Sequence, residues 1–134
     1  IVNASRGEVA DTRALLDAPQ RLFLDVWERE PDIDRRLLEK AVVATPHIAG
    51  YSAQGKANAT AAAVAAAARR FGLPLAGWYP PQVHPAARRA ISWVEMCATV
   101  RDYCDLAAQS ATLKSRPEAF ESLRNGYDYR EEYF

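Results

Sequence analysis

The chain has 134 residues, of which 49% are hydrophobic and 25% charged. That is ordinary globular composition and excludes an intrinsically disordered chain. Seventeen Lys and Arg balance seventeen Asp and Glu, for a formal net charge of zero. A nucleic-acid partner, which normally shows as a basic excess, is therefore not expected. No stretch approaches the roughly 20 consecutive apolar residues that cross a bilayer. The first residues have neither the charged start nor the apolar core of a secretory signal, so the expected location is the cytoplasm.

The chain begins without Met, inside an apolar run. Ile1 to Ala4 reads as the end of a strand, and the expectation is a C-terminal piece of something longer. Asp11 can cap a short helix carrying Ala14, Leu15 and Leu16. Leu22 to Trp27 is a continuous apolar strand interrupted by one acid, Asp25. Pro31 and Asp32 make a turn, and Asp34 can cap a helix through Lys40. Ala41 to Ala44 is the next strand, stopped by Thr45-Pro46. Strand–helix–strand–helix–strand predicts a parallel sheet with helices on its faces, its strands nearly all apolar because both sides are covered.

From Ala53 to Ala68, ten of sixteen residues are Ala. Alanine has the best helix propensity, and Gly72 before Leu73-Pro74 is a natural stop, so one long helix is predicted. Pro74, Pro80, Pro81 and Pro85 make residues 75–87 an extended, linker-like stretch. Ser92 and Glu95 fit a capping box, and the helix they open is expected to run to about Lys114. Val94, Cys97, Val100, Cys104 and Ala108 lie along one face of it. Cys97 and Cys104 stand seven apart, about 10 Å on a helix, too far for a disulfide, and read as buried thiols. Pro117 can occupy the first turn of a last helix, from Glu118 to about Arg124. Tyr127, Tyr129, Tyr133 and Phe134 then form an aromatic tail.

Four short motifs stand in order: Asn3-Ala4-Ser5-Arg6-Gly7, Leu24-Asp25-Val26-Trp27, Glu30-Pro31, and Thr45-Pro46-His47-Ile48-Ala49-Gly50-Tyr51. Each lies at or just beyond the C-terminal end of a predicted strand, the edge where open α/β sheets bind ligands. Neutral His47 can accept a proton from a hydroxyl. Glu30 can accept the other imidazole N–H, fix the tautomer and favour the imidazolium. Arg6 can hold a carboxylate in a bidentate fork. Such a set suits a hydroxy acid losing its hydroxyl proton as hydride leaves the same carbon. Taken singly, each residue has a bland alternative: a solvated Arg, a surface Glu, a structural His. Asp25 is harder to dismiss, because an unpaired buried acid is costly.

The ordered blocks resemble those of the NAD-dependent D-2-hydroxyacid dehydrogenases. The resemblance implies Arg6 as the residue that orients and polarises substrate, Glu30 as the support of the catalytic His, and His47 as proton donor or acceptor. It implies that Asp25 contacts NAD, that Ala4 and Ser5 line the cofactor side, and that Gly50 approaches the cofactor through its backbone. Tyr51 and residues 75–134 look like a member that carries a C-terminal dimerisation extension and acts on a phosphorylated 2-hydroxy acid. In that member Tyr51 corresponds to a substrate-contacting residue. The implied architecture is the C-terminal half of a Rossmann-type parallel sheet over 1–50, a long Ala-rich helix returning toward the substrate domain over 51–74, and a small α+β extension that forms a homodimer over 75–134.

Two departures accompany the resemblance. Residues 15–21 contain no Gly where the family usually turns with one. No G-x-G-x-x-G occurs in the chain, so the glycine loop is expected before residue 1, and these residues alone are expected to be inactive. Three other readings compete: another hydroxyacid dehydrogenase, a non-catalytic dimerisation module, and a metal site. The last has only His47 and His84, with no ligand spacing, so no metal is expected.

Overall fold

The computed structural model describes residues 1–86 and 89–132. Of the predicted aromatic tail, Tyr133 and Phe134 lie outside the described residues, as does Ala87 at the end of the Pro-rich stretch. The chain forms two compact units. Residues 1–49 with 104–128 make the first, and residues 50–103 with the segment that starts at Tyr129 make the second. Packing thus groups the chain differently from a division at 50 and 74.

In the first unit, β1 (Val2–Asn3), β2 (Phe23–Leu24) and β3 (Val43–Ala44) form a parallel sheet in the order β1-β2-β3. Val2 faces Phe23, and Phe23 faces Val43. The regular pairing is two residues long per strand, shorter than the apolar runs that predicted it. Helices α1 (Thr12–Asp17) and α2 (Arg35–Lys40) make the crossovers. Both caps fall where the sequence placed them: Asp11 accepts from the Ala14 amide at 2.9 Å, and Asp34 accepts from Arg36 and Leu37. Where a turn glycine is missing after α1, the Lys40 ammonium donates to the carbonyls of Leu16 and Ala18 at 2.6 and 2.5 Å. A cation on free carbonyls satisfies the helix end by another route.

The core gathers Leu15, Leu22, Leu24, Trp27, Ile33, Leu37, Leu38, Ala41 and Ala44, with Leu113 and Phe120 from the later part of the chain. Not every strand residue is covered. Val2 is 77% exposed on the outer strand β1, and Val42 is also exposed.

The single helix expected from Ser92 to Lys114 is two helices. After α3 (Ala53–Phe71), α4 spans Trp93–Tyr103 and α5 spans Leu106–Ser115. The break falls at Cys104-Asp105, because the Asp105 carboxylate caps α5 by accepting the Ala108 amide at 3.0 Å. Asp competes with helical continuation by bonding nearby backbone, and so starts helices more readily than it continues them. The thiols also differ from expectation. Cys97 is exposed on α4, which has no buried residue, and Cys104, in the break after it, is half-buried; both are free. A short 3-10 turn at Pro117–Ala119 leads into α6 (Phe120–Asn125), with Pro in its first turn as predicted.

In the second unit, Ser52 caps α3 by accepting the Gly55 amide, and Gly72 ends it in the left-handed region at φ 65°. Ser52 also bridges to Arg130, the only β pairing outside the sheet among the described residues. The side chains of Ser52 and Gln54 bond the carboxylates of Glu132 and Glu131. The last described residues are thereby tied to the start of α3.

Candidate active site

Three loops that leave the sheet carry the site. The first follows β1. Buried Asn3 organises it: its amide donates to the Arg6 carbonyl at 3.0 Å, and its oxygen accepts from the Ser5 amide and hydroxyl. Gly7 then lies against the Trp27 carbonyl so closely that a Cβ at this position would stand 2.1 Å from that oxygen. Only glycine allows this approach, and it fixes where Arg6 leaves the backbone.

The second loop follows β2. Glu30 uses both carboxylate oxygens. Oε1 accepts the Trp27 amide at 2.9 Å, and Oε2 faces the His47 ring at 2.8 Å. The indole of Trp27 is buried and donates to the Thr45 carbonyl at 3.0 Å, which joins the second loop to the third.

The third loop follows β3 and carries His47 in the left-handed region at φ 59°. Non-glycine residues reach this region at a cost, and such strain clusters at functional sites. Asp25 holds the loop in that shape. Its carbonyl accepts the His47 amide at 2.8 Å. Its buried carboxylate accepts the Thr45 hydroxyl at 2.6 Å, the Ile48 amide at 2.8 Å and the Ala49 amide at 3.0 Å. A carboxylate has about four acceptor positions, so one remains for an outside donor.

Arg6, Glu30 and His47 line one cleft of about 200 Å³, together with Gly7, Glu8, Trp27 and Arg29. An ionised carboxylate only accepts, so the His47 Nδ1–H donates to Glu30 and leaves Nε2 as the nitrogen that can take a proton. The pair is largely shielded, with side-chain exposures of 23% for His47 and 18% for Glu30. Such a cleft can bind an anion through Arg6 and exchange a proton through His47.

Ala4 and Ser5 are exposed at the end of β1. Gly50 has open space where a Cβ would stand. The Tyr51 ring meets Tyr129 edge-on at 5.4 Å, and the Lys56 ammonium lies 4.2 Å above it. Tyr51 and Gly50 belong to the second compact unit, and the three cleft residues to the first.

Comparison with known proteins fits this arrangement. Residues 1–49 match the family model of the NAD binding domain of D-isomer specific 2-hydroxyacid dehydrogenases. Proteins named erythronate-4-phosphate dehydrogenase are similar over nearly all of the chain. That of Bacteroides thetaiotaomicron is 42% identical over 142 residues, covering 98% of this chain and 39% of its own length. That of Bacteroides fragilis is 45% identical, with 98% and 39% covered. That of Porphyromonas gingivalis is 40% identical, with 98% and 38% covered. The chain thus spans about 39% of the length of the relatives it matches. The matched family domain binds NAD. Within the first unit the residues present fit that cofactor: the Asp25 carboxylate keeps one acceptor position, and the Ala4-Ser5 turn is exposed.

Sequence reasoning singled out Arg6, Glu30 and His47, and the fold brings them together. It missed Asn3 and Trp27 as organisers of the loops, and it assigned Asp25 to the cofactor without its hold on the His47 loop. The buried acid in an apolar strand was the signal for that hold. No group of three His, Cys, Asp or Glu side chains among the described residues is arranged for a metal ion. No helix among them is long and apolar enough to cross a membrane.

Proposed function

We propose that this chain supplies the proton-transfer side of an NAD-dependent dehydrogenase that oxidises 4-phospho-D-erythronate at its 2-hydroxyl. The product is (R)-3-hydroxy-2-oxo-4-phosphooxybutanoate. The observation that carries the reading is the 2.8 Å contact between His47 Nδ1 and Glu30 Oε2 in the cleft that Arg6 also lines. The names of the similar proteins supply the substrate. Vitamin B6 biosynthesis in the cytoplasm is the setting this reading implies.

Arg6 binds the substrate carboxylate and draws electron density from the adjacent carbon. His47 Nε2 accepts the hydroxyl proton, and Glu30 stabilises the imidazolium that results. Asp25, Ala4, Ser5 and Gly50 are the residues that hold the cofactor. NAD, when bound, supplies the acceptor for the hydrogen that leaves C2 with its electron pair. Tyr51 contacts the substrate phosphate or carboxylate.

A homodimer through residues 75–134 belongs to the same reading. Helix α4 has no buried residue, and it leaves Trp93 73% and Val94 77% exposed. An apolar face of this kind suits a second copy of the chain.

The test follows nicotinamide fluorescence when the intact protein meets NAD and 4-phosphoerythronate, with 3-phosphoglycerate and D-lactate run beside it. Turnover with 4-phosphoerythronate alone is expected. Turnover with another acid instead moves the protein to a sister substrate and keeps the roles of Arg6, Glu30 and His47. The variant His47→Gln is expected to lose at least a hundredfold in kcat while NAD binding and the oligomeric state persist. A dissociated oligomer with full turnover overturns the catalytic assignment.

A further inference from the structure

The Glu30–His47 pair has a third charged neighbour that the proposed reaction does not use. Arg124, on α6, places Nη1 3.9 Å from Glu30 Oε2, the same oxygen that receives the His47 N–H. That separation exceeds hydrogen-bond length, so the guanidinium acts on the carboxylate through its charge. The position is built into the core. Phe120, at the start of α6, is buried, and Leu123 packs against the buried cluster. The Arg124 side chain is 34% exposed, yet its Nε is buried and has no hydrogen-bond partner among the described residues. Burying part of a guanidinium without satisfying it is unfavourable for stability alone. A charge placed this way beside a functional pair has an electrostatic use.

We propose that Arg124 is a positioning residue for the Glu30–His47 pair, holding the Glu30 carboxylate by its charge and limiting how strongly Glu30 favours protonated His47. The proposal deepens, and rests on, the reading of His47 as the group that takes the hydroxyl proton. The physical argument is direct. Glu30 alone favours imidazolium, whereas a base must be neutral before it can accept a proton. A cation beside Glu30 offsets part of that preference. The other charged groups lining the cleft are Arg6, Arg29 and Glu8.

The test compares Arg124→Gln, Arg124→Met and Arg124→Lys in the intact protein. Loss of the charge is expected to lower kcat at neutral pH about three- to tenfold and to change KM for the acid less than about twofold. The acidic limb of the pH profile for oxidation is expected to move upward, because a cation no longer stands beside Glu30. Arg124→Lys is expected to restore most of both. An unmoved acidic limb in the neutral variants, or a Lys variant as impaired as Gln, overturns the proposal.

A second readout keeps the outcome separate from the identity of the substrate. The His47 ring is titrated by nitrogen NMR without substrate, its signal assigned by loss in His47→Gln. An upward shift of the titration in Arg124→Gln supports the proposal even if the protein oxidises none of the acids offered. An unchanged titration refutes it even if the protein is a dehydrogenase. Should the Gln variant fail to fold, Arg124→Met, of similar length, is read in its place. If both neutral variants unfold, Arg124 is a structural residue and the proposal fails.

Discussion

Asp25 holds His47 through the backbone of the His47 loop, not through the imidazole. The Asp25 carbonyl takes the His47 amide, and the Asp25 carboxylate takes the amides of the two residues that follow. The acid after the strand therefore sets the shape of the loop that carries His47. Asp25→Asn places an NH2 group against amide donors in a buried site. The expected cost is about 2–3 kcal/mol in stability, from donors left without an acceptor. A displaced His47 is expected to lower kcat by about ten- to a hundredfold. Thermal unfolding and steady-state kinetics of the intact protein measure both. A variant that lost only NAD affinity, with kcat and stability intact, would show that the hold on the loop is unimportant.

Gly7→Ala tests the first loop. The added methyl meets the Trp27 carbonyl oxygen at 2.1 Å, and that oxygen belongs to backbone that cannot swing aside. The 3-10 turn at Gly7–Val9 has to retreat and carry Arg6 with it. We expect a loss of about 1–3 kcal/mol, as for other overpacked sites. KM for the hydroxy acid should rise about tenfold if Arg6 binds the carboxylate. Gly50→Ala is the comparison, since among the described residues nothing beyond its chain neighbours lies within 4 Å of a Cβ there. It should leave stability unchanged, with a fall in NAD affinity if Gly50 approaches the cofactor as proposed.

The local parts of this site were legible in the sequence because they depend on neighbours along the chain. Asp11 and Asp34 cap helices that start within three residues of them, and Gly72 stops the helix it follows. The convergence of Arg6, Glu30 and His47 was legible through topology, since parallel strands bring their following loops to one edge. Arg124 and Ser110 were not legible. Arg124 meets Glu30 across 94 positions of sequence, and Ser110 meets Ala44 across 66. No periodicity or spacing encodes contacts of that kind. The break at Asp105 was overridden in the reading by an apolar stripe that continued in register on both sides of it. The exposure of Cys97 was missed for the same reason, because a stripe shows which residues share a face but not what covers the face.

Ser110 tests how the later helices support the sheet. The amides of Val43 and Thr45 donate to the carbonyls of Leu22 and Leu24, so the Ala44 amide between them points the other way. It is buried and donates to Ser110 Oγ on α5 at 3.0 Å. Helix α5 therefore closes the free edge of β3, with Lys114 adding a bond to the Ala41 carbonyl at 2.5 Å. Ser110→Ala leaves the amide without an acceptor, at an expected cost of about 1–3 kcal/mol. The neighbouring Ser115→Ala, at an exposed hydroxyl, should change stability by less than about 0.5 kcal/mol. Equal effects of the two in denaturant unfolding would mean that the edge is not closed by this bond.

Asp34 provides a test in pH. Its carboxyl is lowered from the ordinary 3.8 to about 2, chiefly by the hydrogen bond from the Arg36 side chain, with the Leu37 and Arg36 amides adding to it. Because the folded value lies below the unfolded one, the carboxylate stabilises the folded state above about 3.8 and loses that contribution as pH falls through about 2. Asp34→Ala removes the cap of α2 and is expected to cost about 1 kcal/mol at neutral pH. The difference from the parent should shrink as pH is lowered from 5 toward 2. Asp34→Asn should keep most of the stability at pH 7, since Asn caps about as well as Asp. It should also lose the pH dependence, since its amide does not titrate. Denaturant midpoints of the three proteins across this range separate the two contributions. An Ala variant whose deficit stayed constant from pH 5 to 2 would show that Asp34 acts through its shape rather than its charge.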